Sequence, residues 1–128
     1  MGVFAYDTTT ATNSFFNGGS TTCSPTQFSN FADNDVFFLW SSPCNGTFTF
    51  HNCGDGWDSI FAAHLGVDCS AVCIDGADDS SVNCTTLIDS ELVLPATFAT
   101  DYLIQIGSWA DAGSAGTSGS LNVSLNSG

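Results

Sequence analysis

The sequence predicts an all-β fold of the antiparallel sandwich or barrel type. No stretch of ten or more residues carries apolar side chains at helical spacing. Short runs rich in β-branched and aromatic residues recur instead, and Gly, Asn, Asp and Ser separate them. Seven or more such runs at intervals of roughly ten residues are typical of two packed antiparallel sheets or of a closed barrel.

The first two clear strands are predicted at residues 36–40 and 47–51. The first is a continuous apolar run of the length of a buried strand, and the second alternates so that Phe48 and Phe50 lie on one face. Asn45-Gly46 lies between them and is a strong signal for a tight turn, because such turns need positive φ. The two strands are therefore predicted to form a hairpin.

Five further strands are predicted at residues 59–65, 72–75, 87–94, 102–107 and 120–125. In the last of them, Leu121, Val123 and Leu125 face the same way. Pro95 is predicted to end the strand at 87–94, because proline has no N–H to donate to a neighbouring strand.

Residues 1–34 are predicted as an N-terminal segment that precedes a sandwich domain at residues 35–128. Residues 3–6 and 14–16 are candidate strands within this segment, and Asn17-Gly18-Gly19 is a turn signal. Two interpretations stay open. The segment pairs within the same sandwich, or it leaves and completes the sheet of a neighbouring copy.

The charge composition excludes whole classes of partner. The 128 residues include no Lys or Arg and 13 acidic residues, so the formal net charge is −13. No side chain can neutralise phosphates, and neither nucleic acids nor anionic membranes are expected as partners. Membrane insertion is not expected either, because no apolar run reaches 18 residues.

The six cysteines predict a disulfide framework and an extracellular, oxidising location. Zinc is the competing interpretation, but Cys69 and Cys73 are the only close pair and no Cys-x-x-Cys motif accompanies them. Cys44 and Cys53 bracket one predicted strand and would lie about 30 Å apart, which excludes a bridge between them. Tracing the strands favours the set Cys53–Cys84, Cys69–Cys73 and Cys23–Cys44. The alternative set keeps the first bridge and adds Cys44–Cys69 and Cys23–Cys73.

Three Asn-x-Ser/Thr sequons occur, at Asn45, Asn83 and Asn122. In a cell that glycosylates, these side chains would be surface attachment points for sugar. Such tripeptides also arise by coincidence in a chain rich in Asn, Ser and Thr.

Several motifs in order resemble the bacterial pre-peptidase C-terminal domains over about residues 33–126. They are Asp35-Val-Phe-Phe-Leu-Trp40, Pro43-Cys-Asn-Gly-Thr-Phe-Thr-Phe50, Asn52-Cys-Gly54, Trp57-Asp-Ser59, Asp78-Asp-Ser80, Tyr102-Leu-Ile-Gln-Ile-Gly107 and the stretch 116–123. The resemblance implies a jelly-roll-like β-sandwich, which is found as part of secreted proteins and serves there as a non-catalytic module for secretion, adhesion or substrate binding. The chain departs from the family at 98–101, where a common Gly is missing, and at Gln105, where a basic residue is frequent. No peptidase accompanies the module, which is therefore expected to act alone or with copies of itself.

Catalysis is not predicted. The only histidines, His51 and His64, lie inside predicted strands, where a structural role is ordinary. No Gly-x-Ser-x-Gly nucleophile elbow occurs. The single glutamate, Glu91, also lies in a strand, and sequence alone does not set the separation of any carboxylate pair.

Aspartates outnumber glutamate twelve to one and gather in predicted loops, which suits calcium, a cation that binds carboxylate and backbone oxygens. The best candidate ligands are Asp75, Asp78 and Asp79, and a second candidate cluster is Asp55 and Asp58. The competing interpretation is that Asp favours turns by bonding to nearby backbone. The absence of cationic side chains favours calcium, because close carboxylates need a counter-charge.

Two functions are predicted. The first is a non-catalytic extracellular structural or adhesive module, a self-assembling subunit of a surface fibre whose partners are copies of itself joined through the N-terminal strand. The second is a calcium-dependent carbohydrate-binding module, in which Trp57 and Trp109 of predicted loops stack on sugars, although tryptophan in a sandwich is more often part of the core.

Overall fold

Two antiparallel four-stranded sheets make up the part of the chain that the computed structural model describes, which comprises residues 2–9, 33–56, 58–68, 70–77, 84, 89–108 and 118–126. The strands are β1 (Gly2–Asp7), β2 (Asp33–Ser41), β3 (Gly46–His51), β4 (Ser59–Leu65), β5 (Val72–Ala77), β6 (Glu91–Ala96), β7 (Asp101–Ser108) and β8 (Ser118–Leu125). No helix among these residues is long and apolar enough to cross a membrane.

The strand order identifies the sandwich as a jelly roll. One sheet has the order β1-β8-β3-β6 and the other has the order β2-β7-β4-β5. The pairs are nested, since β1 pairs with β8, β2 with β7, β3 with β6 and β4 with β5, all antiparallel. The chain thus reverses direction between β4 and β5, and its two halves pair strand by strand to form two facing sheets. This is the jelly-roll arrangement that the resemblance implied.

Aromatic side chains fill the space between the sheets. Trp40 of β2 packs edge-on against Phe48 and Phe50 of β3, with ring centroids 4.8 and 5.0 Å apart, and tilts against Tyr102 of β7 at 5.8 Å. Phe48 and Phe50 are fully buried on one face, as their alternation predicted. Each large apolar side chain removed from water in this way contributes about 1.5–3 kcal/mol before the entropic cost of ordering it.

Most predicted strands agree with the structure. β4 begins and ends where it was predicted, and the predictions at residues 72–75, 102–107 and 120–125 fall inside β5, β7 and β8. The candidate strand at residues 3–6 falls inside β1, which pairs with β8 of the same chain. Residues 14–16 and the turn signal at 17–19 lie outside the described residues.

The predicted hairpin between β2 and β3 is wrong, because the two strands belong to different sheets. Both strands bury their aromatic faces, so they lie opposite each other across the core instead of side by side. The segment between them crosses from one sheet to the other, and Asn45 accepts a hydrogen bond from the Phe98 N–H at 2.8 Å. Gly46 serves close packing, since a Cβ there would lie 2.8 Å from the Leu125 Cδ1.

The prediction that Pro95 ends a strand is wrong. Pro95 lies inside β6, opposite Thr47 of β3. β6 is an edge strand of its sheet, with β3 as its neighbour. Half of the N–H groups of an edge strand point away from the ladder, so proline is tolerated there. β6 begins at Glu91, later than the predicted residue 87, and residues 85–88 lie outside the described residues.

Candidate functional site

β1 is an exposed edge strand with little side-chain burial. Within the described residues it has a neighbour on one side only, β8. Val3 is 66% exposed and Phe4 is 40% exposed, whereas Tyr6 is the one residue of β1 that is buried. The attachment of β1 therefore depends on its backbone ladder with β8 and on two inward-facing aromatic side chains.

An apolar cavity opens between the sheets at the edge that β1 and β2 form. It has a volume of about 60 Å³, and its lining includes Phe4 of β1, Phe38 and Trp40 of β2, and Leu121 and Val123 of β8. Phe4 and Phe38 come from opposite sheets, and their ring centroids lie 6.3 Å apart across the opening. Phe4 therefore covers apolar surface that would meet water if β1 left the sheet.

Tyr6 ties β1 to the loop that follows β3. Its Oη donates a hydrogen bond to the Asp55 Oδ2 at 2.5 Å, and the same carboxylate oxygen accepts the Ser120 N–H at 3.0 Å. The Asn52 Nδ2 donates to the Tyr6 Oη at 3.3 Å. Hydrogen bonds from a hydroxyl to a carboxylate are short and about twice as strong as bonds between neutral groups.

Gly119 makes room for this contact. It lies directly opposite Tyr6 in the pairing of β1 with β8, so the phenol crosses over residue 119 to reach Asp55. A Cβ on residue 119 would overlap the Asp55 carboxylate and would lie 2.6 Å from the Tyr6 Oη. A residue other than glycine would therefore separate the phenol from the carboxylate.

A buried carboxylate holds the Asp55 loop in shape. Asp89 is fully buried and accepts the N–H of Gly54 at 2.9 Å and of Gly56 at 2.8 Å. Both glycines have positive φ, 96° and 71°, which a side chain at either position would disfavour. The disulfide Cys53–Cys84 ties the same loop to a distant part of the chain.

Asn52, at the start of this loop, is the centre of a buried polar cluster. Its Oδ1 accepts the Ser90 N–H at 2.8 Å, and its Nδ2 donates to the Ser59 Oγ at 3.0 Å. Ser90 in turn donates from its hydroxyl to the Ser59 carbonyl at 2.7 Å. Buried polar groups that are satisfied in this way give the loop one conformation, so the Asp55 carboxylate is held ready for Tyr6.

The predicted calcium ligands lie only in part within the described residues. Asp55 is engaged by Tyr6 and Ser120, and the Asp75 Oδ1 accepts the Gly76 N–H at 2.8 Å. Asp58 lies within the part of the chain that the structure describes, whereas Asp78 and Asp79 lie outside it. No group of three or more His, Cys, Asp or Glu side chains in the described part of the chain could hold a metal ion.

Two other aspartates show the competing behaviour, in which Asp bonds to nearby backbone in a turn. The hydroxyl and the backbone N–H of Thr9 both donate to Asp7, and those of Ser70 donate to Asp68. These hydrogen bonds hold the pKa of both carboxyls below the usual value for Asp.

The two histidines lie in different sheets and make structural hydrogen bonds. His64 is buried in β4, as a sheet residue, and its Nε2 donates to the Gln105 Oε1 at 2.9 Å. Burial lowers the pKa of His64, and the contact with Gln105 and the nearby charge of Asp35 oppose that shift. The Nδ1 of His51 accepts the Cys53 N–H at 3.2 Å.

The cysteines follow the predicted framework in part. The bridge Cys53–Cys84 is formed, with Cα atoms 4.8 Å apart. Cys73 is also disulfide-bonded, and its two predicted partners, Cys69 and Cys23, lie outside the described residues. Cys44 is a free thiol, so the predicted bridges from Cys44 to Cys23 or Cys69 are not formed. Its partly buried side chain packs against the core where the chain crosses between the sheets.

Two of the three sequons can be located on the described surface. Asn45 is exposed at the crossing between β2 and β3, and Asn122 is half-buried on β8. Asn83 lies outside the described residues, as do Trp57 and Trp109, the predicted sugar-stacking residues.

Tyr6, Gly119 and Asp89 were not singled out from the sequence. The hydrogen bonds at this site join residues that are 33 to 65 positions apart in the sequence, with 49 between Tyr6 and Asp55, and no local pattern encodes such separations. The only sequence signal for this site is the Gly54-Asp55-Gly56 stretch, in which two glycines flank a carboxylate.

Comparison of the chain with known protein families, with characterised proteins and with solved structures finds no match.

Proposed function

We propose that this protein is a non-catalytic extracellular structural module that assembles with copies of itself through β1, as a subunit of a surface fibre or appendage. The observation that carries the proposal is the docking of β1. It is an exposed edge strand whose Phe4 lines an open apolar cavity and whose Tyr6 donates a hydrogen bond to a carboxylate. Such an edge accepts an equivalent strand from another chain with the same contacts.

The length of the connection to β2 supports the exchange of β1 between copies. Residues 8–32 separate β1 from β2, which is 25 residues. Extended, they would reach roughly 80 Å, whereas the longest strand of the sandwich spans about 30 Å. A strand with this connection can therefore dock on its own β8 or on that of a neighbour.

The contacts of an exchanged strand equal those of the original strand, so exchange has a small net cost in free energy. If β1 of each copy docks on the next copy, the interface is head-to-tail, because the donating and accepting surfaces differ. Interfaces of this kind give open filaments when the rotation between copies does not close a ring.

The charge distribution is also favourable. β8 carries no charged side chain and β1 carries one, Asp7, although the whole chain has a net charge of −13. Edge strands that avoid such pairing usually carry charged side chains or proline. The surfaces that meet in the proposed exchange therefore avoid most of the repulsion between copies.

The location and the non-catalytic role rest on separate observations. The disulfide Cys53–Cys84 is typical of proteins from oxidising compartments. The resemblance to pre-peptidase C-terminal domains supports a secreted, non-catalytic module, and both histidines are used in structural hydrogen bonds.

A cysteine pair tests the exchange in the full chain. Ala5 and Ser120 are directly opposite each other and face away from the core, so Ala5→Cys with Ser120→Cys should form a disulfide across the ladder. In a Cys44→Ser background, oxidised polymers of this variant are expected to give a ladder of covalent oligomers on a non-reducing gel. Electron microscopy should show filaments before oxidation.

Each cysteine variant alone is the matched control and should give no ladder. A chain that lacks residues 1–22, and so lacks β1, is expected to form no filaments. Covalent monomers alone, or filaments from the shortened chain, would show that β1 is not exchanged.

A further inference from the structure

We infer that the contact of Tyr6 with Asp55 across Gly119 sets the register in which β1 docks, which makes the β8 edge a receptor for the β1 strand of a second copy of this chain. The inference rests on the proposed function only for the origin of the strand. The register argument holds equally for a strand from the same chain.

The ladder by itself specifies the register weakly. On the outer face, Val3 and Ala5 lie opposite Asn122 and Ser120, and none of these side chains is charged. A shift of one residue would turn the aromatic side chains to the solvent, but a shift of two keeps them facing inward. A separate contact must therefore exclude the register shifted by two.

Phe4 does not supply that contact. It lies opposite Leu121 in the observed register, and a shift of two residues would place it opposite Val123. Both residues line the same apolar cavity, so Phe4 finds apolar surface in either register.

Tyr6 distinguishes the two registers. In the observed one it lies opposite Gly119, and its phenol reaches the Asp55 carboxylate at 2.5 Å. In the shifted one it would lie opposite Leu121, where the hydroxyl would lose Asp55 and meet apolar side chains. A buried hydroxyl without a partner is strongly disfavoured.

The receptor is built without β1. Asp89 holds the N–H groups of Gly54 and Gly56, and the disulfide Cys53–Cys84 ties the loop. The Asp55 carboxylate also accepts the Ser120 N–H of β8. The Asp55 carboxylate is therefore in position before any strand docks, and the incoming strand supplies only the Tyr6 hydroxyl.

The chemistry of the site selects one segment of the chain. An incoming strand needs an apolar aromatic residue and, two positions later, a tyrosine, as Phe4 and Tyr6 provide. The chain has two tyrosines, and the other, Tyr102, is 4% exposed inside β7. β1 of a second copy is thus the partner that fits.

Cysteine traps read the register directly. Ala5→Cys with Ser120→Cys reports the observed register, and Ala5→Cys with Asn122→Cys reports the shifted one. In the Cys44→Ser background with Tyr6 present, the second pair is expected to cross-link at less than about a tenth of the yield of the first, because diagonal neighbours are too far apart for a disulfide. Adding Tyr6→Phe is expected to bring the two yields within about threefold of each other.

Asp55→Ala removes the acceptor and should equalise the yields in the same way, which covers the case in which Tyr6→Phe fails to fold. Val3→Ala, an outward-facing change in the same strand, is the control and should leave the difference intact. Cross-links are mapped by mass spectrometry after chymotrypsin digestion, because the chain has no Lys or Arg for trypsin.

An unchanged preference for Ser120 in both Tyr6→Phe and Asp55→Ala would overturn the inference. Loss of both cross-links would overturn it too, since Tyr6 would then hold the strand without choosing its register. The mass of the products separates the two proposals. Monomers cross-linked in the observed register contradict strand exchange and leave the register argument standing.

Discussion

His64 is an ionisable side chain buried in the sheet. It is fully buried in β4 and hydrogen-bonded to Gln105, which donates in turn to Asp35. Burial disfavours the charged imidazolium and lowers the pKa of His64, although the contact with Gln105 and the charge of Asp35 act in the opposite direction.

The lowered pKa predicts a loss of stability in mild acid. Well above pH 6.5, histidine is neutral in both the folded and the unfolded chain, so His64 contributes no pH dependence there. Below that pH His64 becomes protonated in the unfolded chain but stays neutral in the folded protein, because its pKa is lowered there. The free energy of unfolding therefore falls by at most about 1.4 kcal/mol per pH unit. Urea unfolding at pH 7.5, 6.5 and 5.5 measures the fall.

His64→Gln should remove the part of the decrease in unfolding free energy that His64 causes, because glutamine keeps a polar group beside Gln105 and does not titrate. His51→Gln, which changes the half-buried histidine of β3, is the matched control and should retain it. If the free energy of unfolding became less dependent on pH by the same amount in both variants, the assignment to His64 would be contradicted.

At the scale of elements, the turn between β6 and β7 contains the one described residue other than glycine with positive φ. Ala99 has φ of 60°, its N–H donates to the Ser42 carbonyl at 2.9 Å, and Thr100 closes the turn on Thr97 at 3.1 Å. These bonds hold the backbone in a conformation that alanine disfavours by about 1–2 kcal/mol.

Ala99→Gly is therefore expected to raise the free energy of unfolding by about 0.5–1 kcal/mol. The relief of backbone strain at this positive φ exceeds the cost of the extra conformational entropy of glycine in the unfolded chain. The midpoint of urea unfolding measures the change, with an unaltered slope. Ala5→Gly, at an exposed strand position without positive φ, should lower stability slightly. A lower midpoint for Ala99→Gly would refute the strain.

The elements also differ in how well their neighbours could be predicted. Alternation located β3, and a block of apolar residues located β2, because a strand needs only local residues to define its buried face. Asn45-Gly46 indicated a hairpin, yet the aromatic faces of both strands require that they lie opposite each other in the core. Local turn preference is weaker than the burial of Trp40 against Phe48 and Phe50.

For the whole molecule, the net charge of −13 with no Lys or Arg means that no lysine or arginine ion pair offsets the repulsion between carboxylates. Cohesion comes from the aromatic core, the disulfides and the buried polar cluster around Asn52. Copies in an assembly repel each other over about 8 Å in physiological salt. Cations are therefore predicted to affect stability and the proposed assembly together.

Calcium is predicted to raise the melting temperature by a few degrees relative to EDTA, because the predicted ligands Asp75, Asp78 and Asp79, which are close together in the sequence, would gain a counter-charge. Sodium chloride at matched ionic strength is the control for general screening. A calorimetric scan with millimolar calcium that coincides with the scan in EDTA would rule out a bound calcium ion. A rise that sodium reproduces would show that screening alone acts.

The sequence by itself determined the all-β class, the position of most strands and the bridge between Cys53 and Cys84, because alternation and strand length are local properties. Only the tertiary structure decided that β2 and β3 face each other, that Pro95 lies in an edge strand and that Cys44 keeps its thiol. It alone brought Tyr6 across Gly119 to Asp55, 49 residues away. Contacts between distant residues depend on which strands become neighbours, and that follows from burying all apolar faces at once, which no local pattern records.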